Sequence, residues 1–194
     1  ASRQKEVGIK LDMGRFGGSL SAYTTSKPSG YVVGDRFAIA GEQRNRGLEL
    51  ALFGEPLAGV RVLGGATLTD AKLRHTANGA DDGNDAIGTP GLQSNLGVEW
   101  TLAAVKGLSL DARVVHTSSQ YADAANTMEL PSWMRFDVGA RYVVDVGAQL
   151  LTLRARVDNL TNRSYWASAG GYPGSGYLVL GAPRSISLSA SLDF

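Results

Sequence analysis

The chain has 194 residues, enough for one ordinary domain, with 19 basic and 18 acidic side chains and a formal net charge of +1. That balance excludes a globally basic nucleic-acid face, and zero cysteines exclude a disulfide scaffold and any cysteine metal site. Hydrophobic residues make up 43%, too many for bulk disorder, and 25 glycines, nearly twice the usual share of about 7%, mark a turn-rich chain.

The opening residues, Ala1 to Glu6, contain neither an initiator Met nor an apolar signal region, and read as the continuation of something longer. From there the chain alternates apolar and polar residues in nine segments. The apolar positions begin with Val7, Ile9, Leu11 and Met13, followed by a weaker set at Leu20, Ala22 and Thr24. Leu48, Leu50 and Leu52 form the third, and Val60, Val62, Gly64, Ala66 and Leu68 the fourth. Leu96, Val98, Trp100 and Leu102 come next, then Leu108, Leu110, Ala112 and Val114. Met134, Phe136, Val138, Ala140 and Tyr142 make the seventh, and Leu151, Leu153, Ala155 and Val157 the eighth. Ile186, Leu188, Ala190, Leu192 and Phe194 close the chain. The interleaved positions carry the charges, among them Glu49, Arg61, Glu99, Asp111, Arg113, Arg135, Asp137, Arg141, Arg154, Arg156 and Asp158. No helical stripe of comparable length occurs, so little helix is expected.

The connections alternate between short and long. The short ones are residues 14–17, 54–58, 103–107 and 143–148; the long ones are 27–43, 70–91, 118–130 and 160–183. In an up-and-down meander this sorts every short turn to one end and every long loop to the other, as in an outer-membrane barrel. The uncharged run from Ser164 to Pro183 is broken by glycines and prolines, so it is read as a loop and not as a membrane helix. Segments of about 10–12 residues match the ~9–11 tilted residues that cross a bilayer. Trp100, Tyr142 and Phe194, near the short turns, fall where an interfacial girdle would lie. A soluble β-barrel binding protein could use the same pattern inverted, and a passive channel could share the wall. Nine strands cannot close one antiparallel barrel, so the expected fold is all-β: an antiparallel up-and-down transmembrane β-barrel segment belonging to a larger barrel.

Other chemistry is poorly supported. Asp81-Asp82-Gly83-Asn84-Asp85 fails the spacing of a calcium loop, and His75 and His116 lack a third metal ligand. No Ser-His-Asp set, phosphate loop or zinc signature occurs, so no enzymatic activity is expected. Asn159-Leu160-Thr161 and Asn162-Arg163-Ser164 fit a glycosylation pattern, but the preferred reading is structural, with Asn side chains bonding backbone where a strand leaves the membrane.

Several stretches, in order, carry a family pattern. Gln4-Lys5-Glu6-Val7-Gly8-Ile9-Lys10 is followed by Gln43 to Leu50 and then by Gly54-Glu55-Pro56-Leu57. Gly88-Thr89-Pro90 and Leu130-Pro131-Ser132-Trp133 precede Phe136-Asp137-Val138-Gly139-Ala140-Arg141-Tyr142. The most specific is Val157-Asp158-Asn159-Leu160-Thr161-Asn162-Arg163-Ser164-Tyr165-Trp166, and Gly181-Ala182-Pro183-Arg184-Ser185 with terminal Phe194 completes the set. With these motifs the chain resembles the C-terminal barrel segment of TonB-dependent siderophore receptors of the Gram-negative cell outer membrane.

The resemblance implies the last nine strands of a plugged barrel of roughly 22 strands. It also implies that residues 1–194 are barrel only, with the plug domain and the TonB-contacting box absent from this sequence. The implied function is active import of a ferric siderophore, with no cofactor bound directly and iron arriving as cargo. Implied partners are the siderophore, the protein's own N-terminal plug, the TonB-ExbB-ExbD system, outer-membrane lipid and the barrel assembly machinery, with no nucleic acid. Phe194 is implied as the barrel-assembly signal. Arg113, Arg135, Asp137, Arg141, Arg154 and Arg156 are expected to face the lumen and plug. Ligand contact is expected from loop aromatics, Tyr31, Phe37, Tyr121, Trp133, Tyr165, Trp166, Tyr172 and Tyr177, whose rings suit catecholate or hydroxamate chelates.

Overall fold

Strict alternation leaves an isolated strand one apolar face to hide and a backbone to pair, and lateral pairing satisfies the backbone. The computed structural model describes residues 1–33, 35–172 and 175–193. In chain order the strands are β1 (Arg3–Asp12), β2 (Phe16–Val33), β3 (Arg36–Leu57), β4 (Val60–Arg74), β5 (Leu92–Thr101), β6 (Leu108–Thr117), β7 (Gln120–Tyr121), β8 (Glu129–Leu130), β9 (Trp133–Val146), β10 (Gln149–Asp158), β11 (Trp166–Tyr172), β12 (Ser175–Leu180) and β13 (Ser185–Asp193). A single 3₁₀ turn, Ala77–Gly79, lies between β4 and β5.

Nine strands form one sheet in the order β1-β2-β3-β4-β5-β6-β9-β10-β13, antiparallel throughout. These correspond one for one to the nine alternating segments. The hairpins β7–β8 and β11–β12 stand apart as two small sheets. β1 and β13 each pair on one side only, so the sheet does not close on itself.

Register carries the alternation across the whole sheet. Val62, Val98, Ala112, Val138, Val157 and Ile186 are consecutive partners from β4 to β13. The neighbouring inner row reads Arg61, Glu99, Asp111, Gly139, Arg156 and Ser187. A shift of one residue in any strand would put charge into the apolar row, so the pattern locks the register. The apolar face stays uncovered by protein: Val7 is 74% exposed, Ile9 62% and Leu188 78%. Leu50, Phe136 and Leu153, also on it, are about two-fifths exposed. A soluble core would bury these side chains. Trp100 and Tyr142 lie on this face near the short turns, as a girdle requires.

Each of the expected long loops contains strand. Residues 27–43 are largely strand: β2 and β3 continue as a hairpin up to Val33 and Arg36, with a register shift between Ser29 and Gly30. β2 and β3 therefore reach 18 and 22 residues, well past the expected length. The run 164–183 is likewise not plain loop, since it holds β11 and β12; 118–130 holds β7 and β8, and β4 runs on to Arg74 inside 70–91. Beyond the apolar band both faces meet water, so alternation fades although backbone pairing continues. The remaining enclosed packing is small: Ala71, Leu73, Ala86 and Ala124, with Ile87 against them, join the inner face of β4 to the long loops.

Candidate functional site

The inner face is an ion-pair ladder. Glu99 accepts from Arg141 at 3.2 Å and lies 3.8 Å from Arg61. Arg156 reaches Asp158 on its own strand at 2.8 Å and Asp111, two strands away, at 3.4 Å. Gly139 lies between them in register, and a Cβ there would overlap the Asp111 carboxylate. A side chain at 139 would thus obstruct the Arg156–Asp111 pair that ties β6 to β10. Arg113 and Arg154 are exposed on the same face and form no ion pair among the described residues.

At the outer end of β9 and β10 the ladder becomes a knot. Asp137 is fully buried, 3.1 Å from Arg135 and 3.7 Å from Arg156. Its Oδ1 accepts the backbone N–H of Asn159 at 2.9 Å. Asn159 adopts φ 53°, a left-handed conformation that Asn tolerates better than most residues. Its Nδ2 donates to the carbonyls of Arg163 (2.9 Å) and Ala182 (3.0 Å), while its Oδ1 accepts the Arg163 N–H at 2.9 Å. Asn162, also at positive φ, accepts the Arg184 N–H at 3.1 Å. These bonds steer the chain out of β10 and back into β13, the structural role expected for the two Asn residues.

Tyr165 completes the knot. It stacks on Trp133 with ring centroids 4.3 Å apart and accepts a hydrogen bond from Arg135 Nη1 at 3.3 Å. Its ring lies against Gly181, where any Cβ would overlap it. Trp133 and Tyr165 are both buried, so their rings hold the strand entrance.

The outer mouth is built from loops. Lys72 binds Asp85 at 2.6 Å, and Asn126 ties Asp85 to the 123–127 turn. Asp82 accepts from the Thr76 N–H and hydroxyl, and these bonds hold its carboxyl below the usual range. Asp123 is held low in the same way, chiefly by the Thr127 hydroxyl and then the Met128 N–H. A cavity of about 350 Å³ opens here. Lys27, Tyr31 and Phe37 line it from the β2–β3 hairpin, with Ile87 and Gly170 from two other segments.

Of the predicted aromatics, Tyr31 and Phe37 both reach the cavity, but from opposite faces of the hairpin: Tyr31 lies towards Gly41 on the face of Lys27, and the Phe37 ring lies over Gly30. Tyr121 lies on β7, where its carbonyl accepts the Gly88 N–H at 2.8 Å. Trp166 opens β11, and Tyr177, 63% exposed, covers Gly170 from β12. The side chain of Tyr172 and the whole of Phe194 lie outside the described residues. Ile87 and Gly170 were missed by sequence reasoning, because nothing local couples segments so far apart; Lys27, four residues before Tyr31 on β2, was within reach of it.

Two faces, one hydrocarbon-facing and one charged and internally paired, define a wall segment of a transmembrane β-barrel. The family described as "TonB dependent receptor-like, beta-barrel" matches residues 1–160. The chain belongs to that family, whose members are Gram-negative outer-membrane proteins. It is 43% identical over 196 residues to the ferrichrome receptor FcuA of Yersinia enterocolitica, covering all of this chain and 26% of FcuA. It is 30% identical over 165 residues to the ferrichrome outer membrane transporter/phage receptor of Escherichia coli K12, covering 83% of this chain and 21% of that protein. The crystal structure of BauA, the ferric preacinetobactin receptor of Acinetobacter baumannii, superposes with a TM-score of 0.89 at 41% identity, over 100% of this chain and 29% of BauA. The chain thus spans about a quarter of the length of the curated relatives it matches. These relatives are receptors and transporters, and none is an enzyme.

Proposed function

We propose that the chain is the C-terminal wall of an outer-membrane receptor that binds a ferric siderophore at its outer mouth and imports it with TonB-supplied energy. The cavity carrying Tyr31 and Phe37 is the observation behind this reading. The Tyr31 ring beside Lys27 offers stacking area to a chelate and a cation to its negative charge, and the exposed Phe37 ring adds a second flat surface at the rim. FcuA is named for ferrichrome and BauA for ferric preacinetobactin, which agrees with an iron chelate as cargo. Tyr121, Trp166 and Tyr177 supply further contacts around the mouth. Trp133 and Tyr165, occupied with each other, support the wall. Arg113 and Arg154, which form no ion pair among the described residues, are available to grip a plug domain, whereas Arg135, Asp137, Arg141 and Arg156 stiffen the wall behind it. Phe194 serves the barrel assembly machinery.

The test uses the full-length receptor in a strain lacking its own siderophore receptors. Radiolabelled ferric hydroxamate and catecholate chelates are offered with and without a functional TonB. TonB-dependent uptake of one chelate class is expected, with binding weakened roughly ten-fold by Tyr31→Ala plus Phe37→Ala. Uptake of both classes and of unrelated solutes without TonB would establish a passive channel instead.

A further inference from the structure

The outward face is not apolar to its outer end. Above the row Val7, Ala22, Leu48 and Leu68, the next outward row reads Lys5, Thr24, Arg46 and Asp70. One step higher come Arg3, Ser26, Arg44 and Lys72. Arg44 is 3.3 Å from Glu42 and Lys72 is held by Asp85, so those two cations are neutralised. Arg3, Lys5 and Arg46 are exposed and form no ion pair among the described residues; Asp70 is the acid in their midst.

Small residues cut a groove beneath this collar. Ala22 and Thr24 of β2 form its floor, with Lys5 and Val7 on one wall and Arg46 and Leu48 on the other; its volume is about 720 Å³. Its lower half is apolar, with Leu68 beyond Leu48, and runs along the strand; its upper half carries Lys5 and Arg46, with Asp70 beyond Arg46. We propose that this groove holds one membrane lipid, with an acyl chain along Ala22 and an anionic phosphate headgroup between Lys5 and Arg46. The proposal rests on the outer-membrane placement of the wall and not on siderophore import, so uptake measurements leave it intact. Charge and shape select the occupant: hydrocarbon is the solvent of the lower rows, and a phosphate at the interface answers Arg3, Lys5 and Arg46, three cations that outnumber the one acid beside them, Asp70.

The experiment takes the full-length receptor in uncharged detergent and measures lipid retention by native mass spectrometry. Phosphatidylglycerol is compared with phosphatidylcholine carrying the same chains. Selective retention of one phosphatidylglycerol is expected. Lys5→Ala plus Arg46→Ala should weaken it roughly ten-fold. Ala22→Trp, which fills the floor and leaves the cations in place, should remove it as well. Lys106→Ala, at a short turn on the opposite end, should leave retention unchanged. Equal retention of both lipids, no loss in either groove variant, or an equal loss with Lys106→Ala overturns the proposal. Displacement by inorganic phosphate alone would reassign the collar to a free anion, and loss of a receptor dimer in the groove variants would reassign it to a second copy; either result overturns the lipid.

Discussion

Asp137 and Asn159 meet in the closed part of the wall: the Asp137 Oδ1 accepts the Asn159 backbone N–H at 2.9 Å, and the two residues are 0% and 1% exposed. A buried carboxylate needs cations and donors, and Asp137 has Arg135, Arg156 and this amide. Asn159 in turn spends its side chain on three bonds that direct the chain towards β13. Asn159→Ala in the full-length receptor should therefore destabilise the barrel by about 2–3 kcal/mol, from lost hydrogen bonds and a strained backbone. Asn159→Gly relieves the strain and should cost less, although the bonds are gone. Urea titration followed by the gel shift of the folded barrel reads both, and equal stability of all three proteins would show that the knot contributes nothing.

The crossing at Gly139 separates packing from charge. Gly139→Val drives a side chain into the Asp111 carboxylate and should cost about 1–3 kcal/mol by overpacking. The Arg156–Asp111 pair is about one-third exposed on each side, so water screens it, and a double-mutant cycle with Asp111→Asn and Arg156→Gln should give a coupling under about 1 kcal/mol. A cycle value larger than the Gly139→Val loss would show that charge, and not space, sets the requirement for glycine.

Alternation in the sequence was sufficient to assign Leu50, Val98, Phe136 and Leu153 to one face and Glu99, Asp111 and Arg141 to the other. Wherever one face meets hydrocarbon, each residue is forced to declare its side. Above the membrane that pressure is absent. Arg44, Arg46, Asp70 and Lys72 continue the outward parity with charge, and the extensions of β2 and β3 were therefore expected as loop. The glycine-rich β11 and β12 gave no period at all. The Asn residues were readable as backbone-bonding, but their partners were not: Asn159 meets Ala182, and Asn162 meets Arg184, across a hairpin that no local rule places. The pairing of Tyr31 and Phe37 with Ile87 and Gly170 was hidden for the same reason.

The two faces should respond oppositely to the same charge. Leu50→Arg puts a guanidinium into hydrocarbon and should cost about 2–4 kcal/mol near the bilayer middle. Glu49→Arg, one residue earlier and on the exposed inner face, should change stability by about 0.5 kcal/mol or less. Folding equilibria of the full-length protein in liposomes measure both. A larger loss for Glu49→Arg than for Leu50→Arg would invert the assignment of the faces.

Strong acid should loosen the turns of the outer mouth. Asp82 and Asp123 are held below the ordinary carboxylate range by hydrogen bonds from Thr76, and from Thr127 and Met128. A depressed folded value means that their contribution is complete above the unfolded value of about 3.9 and is lost as pH falls through the lower folded value. Amide exchange at Thr76, Thr127 and Met128, corrected for intrinsic rates, should stay protected at pH 5 and accelerate only below about pH 3.9. Asp123→Asn should bring fast exchange at Thr127 and Met128 to neutral pH while the β9–β10 amides stay protected. Protection in that variant equal to the parent at neutral pH would mean that the carboxylate charge does not organise the turn.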